Sequence, residues 1–204
     1  MKILFAHGFE GVPTGRKPQH LREVLGHEVV APLMNEKGWT FEDQVTVVCE
    51  ALAEHPELQL VVGSSMGGFA ASVAASRHPD RDLRLLLLAP AVGIHAAWAQ
   101  RLGETGLARW RDTGFQTHFH RGRGVEVTLP YALFSQCCAH AGVVLDHPTV
   151  IIHGLQDETI AIDYALALAK RSPGVKRMYA VADGHRLQAS RHLMGEAIDL
   201  LLTP

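Results

Sequence analysis

The stretch that most restricts how this chain can fold is Leu60-Val61-Val62-Gly63-Ser64-Ser65-Met66-Gly67-Gly68. An apolar, β-branched run meets a Gly-x-Ser-x-Gly turn. A run rich in small residues then extends from Met66 to His78, where Pro79 stops it. The pattern predicts a buried strand reversing sharply into a helix. Gly63 and Gly67 flank the serine because side chains there would collide as strand and helix close together. Ser65 is then held in a strained conformation with its hydroxyl projecting from the sheet. It sits at a helix N-terminus, where free N–H groups favour developing negative charge. Gly-x-Ser-x-Gly alone also describes ordinary Gly/Ser-rich turns, so the strand before and the helix after carry the weight. Ser64 is a rival hydroxyl, but the glycine spacing selects Ser65.

The rest of the chain repeats the same alternation. Short apolar runs at Lys2–Ala6, His27–Ala31, Leu58–Gly63, Leu83–Ala89, Thr149–His153 and Val175–Val181 read as strands. Helical spacing separates them at Arg16–Leu25, Phe41–Glu54 (with Thr40 as N-cap), Met66–His78, Ile160–Arg171 and Leu187–Leu202. This rhythm predicts an α/β domain with a mostly parallel sheet of about six strands and helices on both faces. It breaks between residues 91 and 147, which hold Trp98, Trp110, several glycines and a hairpin signal at Arg121–Gly124. We read one domain over residues 1–204, with the segment of about 91–147 as a lid-like insertion over the active site.

A serine hydroxyl is a poor nucleophile at neutral pH and needs a base within hydrogen-bond reach and a third group to orient that base. On a strand–turn–helix elbow the partners follow in the order Ser, Asp or Glu, His. Asp157 lies in the loop after the strand Thr149–His153, and His185 in the loop after Val175–Val181. Both loops fall at carboxyl ends of parallel strands, where open α/β sheets build their sites. Glu158, Asp163 and Asp146 are near rivals for the acid. Asp183 is too close in sequence to His185 to be the first choice. The oxyanion donors are expected to be the backbone N–H of Met66, just after the nucleophile, and that of Phe9 in the loop His7-Gly8-Phe9-Glu10-Gly11. His7 and His153 each precede a glycine at a strand end and are assigned to hydrogen-bonding loop backbone. A metal site at His118-Phe119-His120 would need further ligands at suitable geometry, and the pair reads better as hairpin surface.

Composition excludes several classes. With 19 Lys and Arg against 21 Asp and Glu, no global field points to nucleic acid or an anionic membrane. Three cysteines, two of them adjacent, make no disulfide framework and no zinc spacing. No apolar run has the length of a bilayer span, and the opening run is too short for a secretory core. These features fit a cytoplasmic enzyme with no cofactor or metal. They leave the oligomeric state open.

The chain resembles the α/β-hydrolase superfamily and, within it, the small esterases related to the bacterial YqiA family. The resemblance covers nearly the whole chain. It rests on His7-Gly8-Phe9, Gly63-Ser64-Ser65-Met66-Gly67-Gly68, His153-Gly154-Leu155-Gln156-Asp157-Glu158 and Asp183-Gly184-His185. It implies a Ser65–Asp157–His185 triad and hydrolysis of small-molecule carboxylic esters. It also implies a sheet lacking the two leading strands of larger members. Glu10 is a departure, because a carboxylate near an oxyanion is unfavourable unless it points outward. For the substrate pocket we expect Trp98, Tyr131 and Phe134 beside Phe9 and Met66, taking short-to-medium acyl groups. The scattered Lys and Arg show no basic cluster near the site, although Arg186 could meet a carboxylate. Thioester or carbon–carbon bond hydrolysis with the same groups is the enzymatic alternative. A binding protein that kept the fold and lost catalysis is the other.

Overall fold

A computed structural model of the chain describes residues 1–203. Six strands, β1 (Lys2–Ala6), β2 (Glu28–Val30), β3 (Leu60–Ser64), β4 (Arg84–Leu88), β7 (Thr149–Gly154) and β8 (Val175–Val181), form one sheet in the order β2-β1-β3-β4-β7-β8. Every pairing in it is parallel. The chain winds outward one way from β1 to β2 and the other way from β3 to β8. The direction of winding therefore switches between β1 and β3, and crevices form at such points. Along the strands, alternate residues enter opposite cores, as the two-residue period requires. Leu4, Val61, Leu85, Leu87 and Ile151 pack under α2 (Phe41–Glu54) and α3 (Met66–Ser76). Phe5, Val62, Leu86, Leu88 and Ile152 pack on the other side, against Leu21 of α1 (Arg16–Glu23) and Met194, Ile198 and Leu201 of α7 (Leu193–Leu202). With both faces covered, the central strands are apolar throughout rather than alternating.

Local chemistry sets the ends of the helices. Thr40 caps α2 in a reciprocal box: its Oγ1 accepts from Asp43 N–H at 3.0 Å, while Asp43 Oδ2 accepts from Thr40 N–H at 2.9 Å. Two helices start later than their sequence spacing suggests. α6 runs Ile162–Arg171 because the backbone is still extended at Ala161, where ψ is 137°. The last helix begins at Leu193 after a 3₁₀ turn at Ala189–His192. Leu187 itself adopts φ 49° and is buried, which breaks the helix expected from that point.

The segment between β4 and β7 is more ordered than its composition suggests. Helix α4 (Ile94–Thr113) bends at Gly103, where φ is 63°. The antiparallel hairpin β5 (Phe115–His120) and β6 (Val125–Pro130) follows, turning at the expected Arg121–Gly124, and then α5 (Tyr131–His140). Trp110, Leu129, Leu133 and Phe134 of this segment join the core cluster that also covers α2 and α3.

Candidate active site

Ser65 is the hinge between β3 and α3, with φ 54° and ψ −120°. A non-glycine residue in that region carries strain of order 1–3 kcal/mol and persists only where its surroundings hold it. Here the Ser65 N–H donates to Leu88 C=O at 2.9 Å, and its C=O accepts from Ala91 N–H at 3.0 Å. The flanking glycines are dictated by close approach. A Cβ on Gly63 would lie 2.6 Å from Gly68 Cα, and one on Gly67 would run into the carbonyl oxygens of Ala6 and His7.

Three loops converge on the Ser65 side chain. His185, in the loop after β8, places Nε2 2.8 Å from Ser65 Oγ and Nδ1 2.8 Å from Asp157 Oδ2. A carboxylate facing Nδ1 requires the proton there, so Nε2 is free to accept from the serine hydroxyl. Asp157, in the loop after β7, has a side chain 1% exposed. Its Oδ1 accepts from the N–H groups of Thr159 and Ile160 at 2.9 and 2.8 Å. The His153 Nε2–H is shared: it donates to the Ile160 C=O at 3.0 Å and also faces Asp157 Oδ2 at 3.1 Å. Burial alone would push this carboxyl up. The donors from His153, His185 and Ile160 outweigh it and hold the acid well below the usual carboxylate range.

The rival acids are placed elsewhere. Glu158 accepts from the backbone N–H of His185 at 3.1 Å rather than from its ring. Asp183 caps the turn before α7, accepting from the N–H groups of Gly184, Ala189 and Ser190. His153 bonds loop backbone as expected, but it also clamps the acid. The four-residue spacing to Asp157 after a strand end was the available signal.

The loop after β1 passes directly over the serine: a Cβ on Gly8 would lie 3.0 Å from Ser65 Cβ. His7 fixes this loop, donating from Nδ1 to Gly8 C=O at 2.9 Å and accepting at Nε2 from Met34 N–H at 3.1 Å. Among the described residues the N–H groups of Phe9 and Met66 have no acceptor, and both residues line the cavity beside Ser65. Glu10 turns outward to the β5–β6 hairpin, accepting from His118 Nε2 at 2.8 Å and Gly122 N–H at 3.3 Å. His120, expected at the hairpin surface, is instead buried. Its Nε2 donates to Phe9 C=O at 2.6 Å, and its Nδ1 accepts from Arg123 N–H at 3.1 Å. The hairpin folds back onto the loop, which the local sequence could not reveal.

Ser65 and His185 open into a cavity of about 1080 Å³. Trp98 lines it, with Met66, Ile94, Ala97 and Leu129 as further apolar wall. Tyr131 and Phe134, expected in the pocket, are not in its lining. They pack on each other with ring centroids 5.6 Å apart, and each lies 5.9 Å from Trp110, in an aromatic cluster of the segment between β4 and β7. The expectation of no basic cluster is also corrected. Arg16, Lys17, Arg101, Arg121, Arg186 and Arg191 all line the cavity, against only Glu10 and Glu158. The fold gathers these cations from three distant parts of the chain. Among the described residues no group of His, Cys, Asp and Glu side chains could hold a metal ion, and no helix is long and apolar enough to cross a membrane.

Residues 2–201 match the sequence profile described as "Uncharacterised protein family (UPF0227)". The chain belongs to that family. This is the YqiA-like grouping to which the motifs pointed. UPF0227 membership is joined by likeness at longer range. The mouse "Palmitoyl-protein thioesterase ABHD10, mitochondrial" is 25% identical over 178 residues, covering 78% of this chain and 56% of the mouse protein. The chain thus spans about half the length of the curated relative it matches. The solved structure of mouse alpha/beta hydrolase domain-containing protein 10 superposes with a TM-score of 0.78 at 24% identity, covering 98% of this chain and 89% of that one. Est1E from Butyrivibrio proteoclasticus, solved with ferulic acid bound, gives a TM-score of 0.77 at 19% identity, covering 98% and 87%. The UPF0227 chain therefore has the α/β-hydrolase fold.

Proposed function

We propose that this UPF0227 protein is a serine hydrolase that cleaves carboxylic esters through an acyl-enzyme intermediate. One observation carries the reading: a single imidazole, His185, bridges Ser65 Oγ and the buried Asp157 carboxylate at 2.8 Å on each side. In the proposed cycle His185 takes the Ser65 proton as the hydroxyl attacks the ester carbonyl. The N–H groups of Phe9 and Met66 receive the oxyanion. Asp157, kept ionised by its donors, holds the productive tautomer and stabilises the imidazolium. His185 next protonates the leaving alcohol. A water activated by the same imidazole then releases the acid and restores Ser65. The cycle calls on no cofactor.

The 91–147 insertion acts as a lid in this reading, since Ile94, Trp98, Arg101, Gln116 and Arg121 border the cavity mouth from that side. Thioester cleavage by the same groups is a second reading, favoured by the name of the mouse relative. A graded panel of p-nitrophenyl esters tests the proposal, with matched oxygen and thio esters of one acyl group alongside. The parent should turn over at least one ester, and His185→Ala should lose about 10³-fold or more in kcat. Equal rates in parent and His185→Ala would overturn it.

A further inference from the structure

The chain as a whole is slightly acidic, with 21 Asp and Glu against 19 Lys and Arg. Its catalytic cavity has the opposite balance, with six basic side chains and two acidic ones in the lining. Both acids are already engaged, Glu10 by His118 and Gly122 and Glu158 by the His185 N–H. None of the six cations lies in an ion pair among the described residues. Lys17 reaches the residue beside the nucleophile. Its Nζ donates to Ser64 Oγ at 3.1 Å, one residue from the nucleophile, and that is its sole acceptor among the described residues. An ammonium has three donors, so this one is under-used in a confined, cationic space.

Resting on the serine-hydrolase reading, we propose that the cavity selects esters bearing an anionic group, a carboxylate or phosphate, received by Lys17 with Arg186 and Arg191 beside it. Burial and the Arg191 and Arg186 guanidiniums draw the Lys17 ammonium down to about 8, only partly offset by Asp183 and Asp157. A bound anion supplies the counter-charge this arrangement lacks. The apolar wall of Ile94, Trp98 and Leu129 then takes the hydrocarbon part of the same molecule.

The test uses two matched ester pairs on the full chain. In the first the charge is in the acyl group: p-nitrophenyl hemisuberate against the p-nitrophenyl ester of monomethyl suberate. In the second it is in the alcohol: octanoyl-4-hydroxybenzoate against its methyl ester. The readout is the ratio of kcat/KM, charged over neutral. The expected ratio is about 10 or more in one arm, since a charge-assisted hydrogen bond is of that size, and that arm says where the anion sits. It should fall to about 1 in Lys17→Met and recover in part in Lys17→Arg. If Lys17→Met does not fold, Arg186→Gln and Arg191→Gln replace it, and each should lower the ratio several-fold. A ratio near 1 in both arms, or one unchanged by these substitutions, overturns the proposal. Should no ester be cleaved in a Ser65-dependent way, the hydrolase reading has failed instead. Calorimetric titration with hexanoate against hexanamide then decides the anion site alone: preference for hexanoate lost in Lys17→Met supports it, and equal binding refutes it.

Discussion

Replacing Asp157 by asparagine isolates what the carboxylate does, because the shape is kept and only the charge and donor pattern change. Four donors converge on the acid: the Thr159 and Ile160 N–H groups on Oδ1, and the His185 and His153 rings on Oδ2. In Asp157→Asn the amide oxygen can keep the two backbone donors, but its NH₂ then faces two rings that both present N–H. His185 relieves the clash by moving its proton to Nε2, where it points at Ser65 Oγ and can no longer take a proton. Returning the proton to Nδ1 for catalysis sets the buried donors against each other again at about 1–3 kcal/mol, and the imidazolium also loses its counter-charge. Together these amount to about 4–5 kcal/mol, or about 10³–10⁴-fold in kcat, with KM changed by less than about threefold. The assay is steady-state turnover of p-nitrophenyl butyrate, with circular dichroism to establish folding. There is also a pH signature. The Asp157 carboxyl is depressed in the folded state. Its contribution to stability is therefore fully present above the unfolded value of about 3.9 and is lost as pH falls below it. The difference in melting temperature between parent and Asp157→Asn should shrink on acidification. A folded Asp157→Asn protein within tenfold of the parent kcat would refute the orienting role.

Two further substitutions probe the frame around the site. Gly67→Ala drives a methyl group into the Ala6 and His7 carbonyls and should cost about 3 kcal/mol or more by urea denaturation. Gly142→Ala, with nothing within 4 Å of its Cβ position, should stay within about 0.5 kcal/mol. His120→Phe removes the donor to Phe9 C=O and the acceptor for Arg123 N–H. It should cost about 1–2 kcal/mol of stability and lower kcat more than it raises KM, because it loosens the loop that presents the Phe9 N–H. Unchanged kcat with lowered stability would assign the hairpin a purely structural part.

The sheet and the convergence of Ser65, Asp157 and His185 were legible because each residue follows an apolar strand directly, and parallel strands bring their carboxyl ends to one edge. What the sequence hid depends on contacts between distant segments. Arg16 and Lys17 come from α1, Arg101 and Arg121 from the segment between β4 and β7, and Arg186 and Arg191 from the stretch between β8 and α7, so no local pattern shows them as a cluster. Tyr131 and Phe134 are as apolar as a pocket wall would be, and only the position of Trp110 reveals that they pack away from the cavity. His118 and His120 sit two apart on one strand. Phe9 and Glu10 decide that the first meets a carboxylate and the second is buried against a carbonyl. Leu187 reads as the start of a helix, yet it adopts φ 49° and is buried beside the histidine loop.

As the proposed activated nucleophile, Ser65 should react covalently with a fluorophosphonate probe. Intact-mass and peptide analysis should find one adduct per chain, on Ser65, formed far more slowly in His185→Ala and absent in Ser65→Ala. Labelling of Ser65→Ala at the parent rate, or an adduct mapped to Ser64 in the parent, would contradict it.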